Sequence, residues 1–167
     1  MENNIIENKN QNCCFITQSN VPYSKYNSHL IKFKRIITLL IKKGVVNFYI
    51  WGVLGFDMTA GKAILELKQE YPQIKLTVFV PYKYNRKKWT FEDRKLFDDI
   101  KNGCDTFIYI DNIFKRRCKY MRIKHLFLHC DNCISYITKY NMSITAYMIQ
   151  RAKQEEDLRV YNLPDLP

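Results

Sequence analysis

The chain is short of acid, glycine, proline and histidine, and each shortage narrows what it can be. Sixteen Asp and Glu stand against 27 Lys and Arg, leaving a formal charge of +11. That balance excludes an acidic solvating chain and permits attraction to phosphate-rich partners. Placement matters more than the total, because a lysine-rich composition also produces solvated surfaces with no partner. Five glycines and five prolines in 167 residues exclude a collagen-like repeat or a low-complexity linker. With three histidines, no Ser-His-Asp order stands out, nor does a paired-carboxylate pattern. Every apolar run is interrupted by Lys or Gly well short of spanning length, so no transmembrane helix and no membrane partner are expected. The opening MENNIIENKNQN lacks a signal-peptide core. A cytoplasmic location follows as an expectation, with the six cysteines as reduced thiols.

What is present is a regular alternation of strand and helix. The most informative stretch runs from Asn47 to Pro72, NFYIWGVLGFDMTAGKAILELKQEYP. Phe48 to Trp51 is an apolar run of strand length. Gly52 and Gly55 bracket a turn, where glycine permits positive φ and close approach of another group. From Phe56 the period changes, and Ala60, Ala63, Ile64, Leu67 and Tyr71 line one face of a helix. Asp57 falls in its first turn, where a carboxylate complements the helix dipole or simply caps it. Strand, glycine turn and helix start can build an anion or nucleotide site, and can equally be a helix packed close to its strand.

The remaining segments repeat the theme. Strands are predicted at Cys13–Thr17, Lys75–Val80, Thr106–Ile110, Cys133–Thr138 and Arg159–Leu163. Helices are predicted at Ser28–Lys43, Phe91–Asn102, Lys115–His129 and Ser143–Gln154. The fold class expected is α/β: a single doubly wound Rossmann-like domain, with a mainly parallel sheet of about six strands and helices on both faces. Residues 1–12 are read as a flexible tail, 13–163 as the domain and 164–167 as a second tail.

Ligands of such a sheet bind outside the carboxyl ends of the strands. Two loops on that edge carry the densest charge: Lys83, Arg86, Lys87 and Lys88 after the third strand, and Lys115, Arg116 and Arg117 after the fourth. They are expected to rim one mouth. Tyr82, Tyr84 and Trp89 interleave with the first group, and cations with stackable rings suit a nucleotide or a single strand of nucleic acid. Trp89 reads better as a core anchor beneath the third helix. His125, His129, Cys130 and Cys133 hold the right atoms for zinc but not a zinc-finger spacing, so core cysteines are preferred and no metal or cofactor is expected.

Taken together these segments resemble the SLOG superfamily of Rossmann-like domains, and most closely its YpsA-like family. Cys14-Phe15-Ile16-Thr17 is similar to the family's opening strand, and Ile50 to Asp57 to its Ser-Gly-Gly-Ala-x-Gly-x-Asp turn. Pro81, Trp89 and Asp93 resemble the segment after the third strand. Cys118 to Asp131 resembles the Cys-Met-x-x-Arg-Asn-x-x-Met-x-Asp-x-x-Asp helix, and Ser143 to Tyr147 the Gly-Gly-Thr-Ala-Tyr helix start. The resemblance implies ligand-binding positions at Trp51, Gly52, Gly55, Asp57, Arg122, Asp131, Ser143 and Thr145. Departures fall on the same positions. Gln18, Ser19 and Asn20 stand for Gly-His-Arg, Trp51 for a glycine, Ile123 for the Asn, and Ser143 and Ile144 for a glycine pair. An indole and a branched chain restrict positive φ and fill the room a phosphate cradle needs, so a reshaped pocket is expected.

The first expectation is therefore a binding protein, not an enzyme or only a weak one, for a nucleotide-type or other phosphate-bearing ligand. A nucleic acid or acidic protein partner is the alternative, and the DNA-processing branch of the superfamily does bind single-stranded DNA. A nucleotide hydrolase or glycosidase ranks last, because the Pro-Gly-Gly-x-Gly-Thr loop of the cytokinin-nucleotide enzymes is missing. Relatives of this fold often dimerise, and no surface legible in the sequence singles out a homodimer contact.

Overall fold

Among the described residues, six strands alternate with five α-helices. The computed structural model describes residues 11–17, 26–80, 83, 86–110, 118–138, 144–155 and 157–167. The strands are β1 (Asn12–Thr17), β2 (Asn47–Trp51), β3 (Lys75–Val80), β4 (Thr106–Tyr109), β5 (Asn132–Tyr136) and β6 (Arg159–Asn162). The helices are α1 (Tyr26–Lys42), α2 (Phe56–Leu67), α3 (Phe91–Gly103), α4 (Cys118–His129) and α5 (Ile144–Glu155). All five strand pairs are parallel, in the order β4-β3-β2-β1-β5-β6. This is the doubly wound α/β sheet expected from the alternation.

The two faces follow from the period of two along each strand. Cys13 and Phe15 of β1, Phe48 and Ile50 of β2, and Leu76, Val78 and Val80 of β3 point to one face. There they pack against α1, α2 and α3 through Phe33, Ile37, Leu40, Phe56, Ile64, Phe97 and Ile100. Cys14, Ile16, Trp51, Cys133 and Ile137 point to the other face, against Ile123, Leu126 and Phe127 of α4 and Met148, Ile149 and Ala152 of α5. Burying one such large side chain contributes about 1.5–3 kcal/mol. Neither face therefore lacks an apolar cover over β1, which lies mid-sheet.

Local signals set the boundaries. Gly44, at φ 97°, ends α1 and donates its N–H to the Ile41 carbonyl. Thr90 starts α3 with a reciprocal cap: its hydroxyl accepts from the Asp93 N–H, and the Asp93 carboxylate accepts from the Thr90 N–H. Such a cap stabilises a helix by about 1 kcal/mol. At the other end, Leu163 is buried, Leu166 packs on the core, and Lys32 and Arg35 of α1 donate to the carbonyls of Leu166 and Pro167.

One polar network ties the end of β6 to the end of β5. The Asn162 amide oxygen accepts from the Ser135 hydroxyl (3.1 Å) and the Ile137 N–H (2.9 Å). Its nitrogen donates to the Ile137 carbonyl (3.0 Å) and to the Asp165 carboxylate (2.8 Å). This holds the chain just as it leaves β5 toward the ligand edge.

Candidate functional site

The strand order places a topological switch between β1 and β5. From β1 the chain winds outward through β2, β3 and β4, then returns to the other side of β1 as β5. Helices on opposite faces diverge there, and that crevice is where such sheets take ligands. β1 lies between β2 and β5, so the first turns of α2 and α5, which follow those two strands, start at the carboxyl edge on either side of β1 and on opposite faces.

On the α2 side the two turn glycines divide the work. Gly55 alone of the pair has positive φ (104°, with ψ −118°), and it opens α2 without a side-chain cap. Gly52 serves close approach instead. A Cβ built there would stand 2.7 Å from Val80 Cγ2, and its N–H is taken up by the Phe79 carbonyl at 2.7 Å. It therefore bonds to the sheet rather than cradling an anion. Trp51 ends β2 on the opposite face, 7% exposed, with its indole 5.5 Å from the Phe79 ring. The indole occupies core space there. Asp57 is buried in the first turn of α2, and Thr59 donates its hydroxyl to the Gly55 carbonyl (3.2 Å).

On the α5 side, Thr145 is fully buried in the first turn, and its Oγ1 has no hydrogen-bond partner among the described residues. Tyr136 ends β5 between them. Its ring lies 4.9 Å from that of His29 in α1 and 6.2 Å from that of Phe56. Its carbonyl accepts from the Thr17 hydroxyl at 3.4 Å. His29, Tyr136 and Thr17 were not singled out from the sequence. The available signal was position, since each closes a strand or opens a helix on the β1–β5 side.

The remaining predicted residues are not all brought together. Asp131 immediately precedes β5, so it lies at the amino edge, roughly 16 Å of strand away from Tyr136. Its carbonyl accepts from the Arg159 N–H. The sequence resemblance had joined it to the site by motif order alone. Arg122 lies on α4, with its side chain outside the described residues, as are Ser143, Lys115, Arg116 and Arg117.

Of the basic rim, Lys83, Lys87 and Lys88 are exposed, while Arg86 is pinned. It donates to Asp98 at 2.6 Å and lies 5.5 Å from the centre of the Phe97 ring. Trp89 packs edge-on against Phe97 (5.4 Å, 71°) as a partly buried anchor under α3. The described part of the rim thus lies by β3 and β4, apart from the switch between β1 and β5.

Four of the described cysteines, Cys13, Cys14, Cys130 and Cys133, are buried in the core, and Cys14 and Cys133 are register partners on β1 and β5. Burial pushes the Cys13, Cys14, Cys133 and Cys104 thiols up, well up for the first two, so access rather than pKa separates Cys104 from the rest. His129 is exposed whereas Cys130 is buried, and among the described residues no three His, Cys, Asp or Glu are arranged to hold a metal ion. A raised thiol pKa leaves little reactive thiolate. Among the described cysteines, Cys104, only partly covered, should be alkylated first in the native protein. Cys13, Cys14, Cys130 and Cys133 should label only on unfolding, as peptide mass spectrometry after a timed iodoacetamide pulse would show. Native labelling of Cys133 at the rate of Cys104 would contradict this packing.

Among the described residues no helix is long and apolar enough to cross a membrane. The model of the YspA SLOG family matches residues 9–166. A UPF0398 protein of Halalkalibacterium halodurans is 28% identical over 136 residues, which span 78% of this chain and 70% of the relative. UPF0398 proteins of Bacillus thuringiensis (strain Al Hakam) and Bacillus cereus (strain AH187) are each 24% identical over 134 residues, spanning 77% of this chain and 71% of theirs.

Proposed function

Because the chain belongs to the YspA SLOG family, we propose that it is a binding protein for a nucleotide-type or other phosphate-bearing small molecule, seated at the switch between β1 and β5. In this reading the family pocket is reshaped and turnover is absent or weak. The observation that carries it is the pair of buried polar side chains at two helix starts beside one strand end. Asp57 is 7% exposed and Thr145 0% exposed. A buried hydroxyl without a partner costs about 1–3 kcal/mol, which a ligand hydroxyl or phosphate oxygen would recover. First-turn amides have no carbonyl partner within their own helix, and the helix dipole favours an anion there. Asp57, an acceptor, suits a sugar hydroxyl rather than the phosphate. The indole of Trp51, sealed against Phe79, supports a pocket narrower than a glycine would leave.

The test is a thermal-shift and calorimetric panel of nucleotides, including cyclic and ADP-ribose species. A ligand present at a hundred times its Kd should stabilise the protein by about 2.7 kcal/mol. Asp57→Asn should weaken that ligand about tenfold or more, and no hydrolysis product should accumulate with the wild-type protein. Neither heat nor a shift with any member of the panel would remove the proposal.

A further inference from the structure

A second basic feature lies away from the switch. A cleft of about 180 Å³ opens where β3 and β4 end, lined by Lys83, Arg86, Phe97, Asp98, Lys101 and Tyr109. It unites Lys83 and Arg86, which follow β3, with Tyr109 at the end of β4 and Phe97, Asp98 and Lys101 of α3. Three cations meet one carboxylate there, and that carboxylate is paired with Arg86. Lys101 sits 5.3 Å from the Phe107 ring and 5.9 Å from the Tyr109 ring. Those two rings meet edge-on at 5.2 Å, yet Tyr109 remains 41% exposed on the edge strand, beside Ile108 at 40%. Lys88, in the short turn before α3, is also exposed.

We propose that this cleft, Lys83–Arg86–Lys101 with Tyr109, seats one unit of a single-stranded nucleic acid, its phosphate among the cations and a base against the tyrosine ring. Size argues for a polymer. Sites that enclose a free small molecule measure about 300–1,000 Å³, and this cleft is smaller. It fits a repeating unit whose neighbours continue over the exposed lysines. Ring exposure argues for a single strand. A base in a duplex has no free face to stack, whereas an unpaired base can use an exposed aromatic side chain regardless of sequence. An acidic peptide would satisfy the cations but leave Tyr109 unused. The proposal does not rest on the small-molecule site, which lies over β1 and β5.

The experiment is fluorescence anisotropy of a labelled oligothymidylate long enough to exceed a site of roughly 4–16 nucleotides. Binding should weaken with salt, with a log–log slope near −0.7 for the phosphate in the cleft and about −0.7 more for each further phosphate held along the exposed lysines. Lys83→Glu with Lys101→Glu should lower affinity more than about tenfold and flatten that slope. Tyr109→Ala should lower affinity about five- to a hundredfold, and Tyr109→Phe should retain it. Tyr109 is exposed on an edge strand, so its variants should keep the wild-type circular dichroism and melting temperature. Lys124→Glu with Lys153→Glu, both exposed, on α4 and α5 of the other face, makes the same charge change elsewhere and should stay within about twofold. No binding at low salt would overturn the proposal. So would equal loss with that second pair, no loss with Tyr109→Ala, or displacement by duplex DNA or polyglutamate as effective as by the single strand.

Discussion

Replacing Asn162 with leucine is expected to lower the unfolding free energy by about 3–5 kcal/mol. Leucine is close in volume, so the loss is not one of space. It comes from the Ser135 hydroxyl and the Ile137 N–H and carbonyl, which lose the partners at 3.1, 2.9 and 3.0 Å described above. Ser135 and Ile137 are 0% and 2% exposed, so water cannot replace those bonds without opening the fold. Each buried group left unpaired costs about 1–3 kcal/mol. Urea denaturation should show a lower midpoint at unchanged slope, the signature of lost stability rather than altered compactness. Asn162→Asp separates donor from acceptor. It keeps the oxygens that receive from Ser135 and Ile137 but removes both donations and sets a new carboxylate beside Asp165. Its midpoint should also fall below that of the wild type. A wild-type midpoint for Asn162→Leu would mean that the network does not hold the end of β5.

The legibility of the chain was uneven for physical reasons. In β3, buried Leu76, Val78 and Val80 alternate with half-buried Thr77 and Phe79, and this short β-branched and aromatic run before Pro81 was readable as KLTVFV, Lys75 to Val80, with its boundaries intact. Helix α1 begins two residues earlier than Ser28, a difference that apolar periodicity cannot resolve because the periodic face starts later. The parallel sheet was predictable from alternation, but the strand order was not, and the order decides what is near what. It sends Asp131 to the amino edge. It also sets Val80 beside Tyr109, bringing a β4 tyrosine and an α3 lysine to the loop after β3. Lys101 and Tyr109 were therefore invisible to a search for charge runs. Their meeting is tertiary. Trp89 was readable for the converse reason, since a large ring two residues before a helix usually tucks beneath it, and Phe97 receives it. At the site itself, the glycine pair was visible, yet its division of labour depended on φ and on Val80, neither of which has a sequence signature.

That division gives the second large effect. Gly55→Val is expected to destabilise the protein by about 3 kcal/mol, because φ 104° with ψ −118° is the mirror image of strand geometry and a β-branched residue cannot relax there. The Gly55 carbonyl accepts from both the N–H and the hydroxyl of Thr59, at 3.0 and 3.2 Å, so the backbone cannot rotate away without undoing the first turn of α2. Gly44 supplies the control. Its φ is 97° and a Cβ there would meet nothing within 4 Å, so Gly44→Ala measures the cost of the dihedral in open space, about 1 kcal/mol. If the turn serves the ligand as well as the fold, the two variants must differ in kind as well as size. At a temperature where both remain folded, Gly44→Ala should bind whichever nucleotide the panel identifies with wild-type affinity. Gly55→Val should lose it, since the start of α2 moves with Asp57 attached. Equal binding by both would confine Gly55 to a structural role and take the α2 turn out of the proposed pocket.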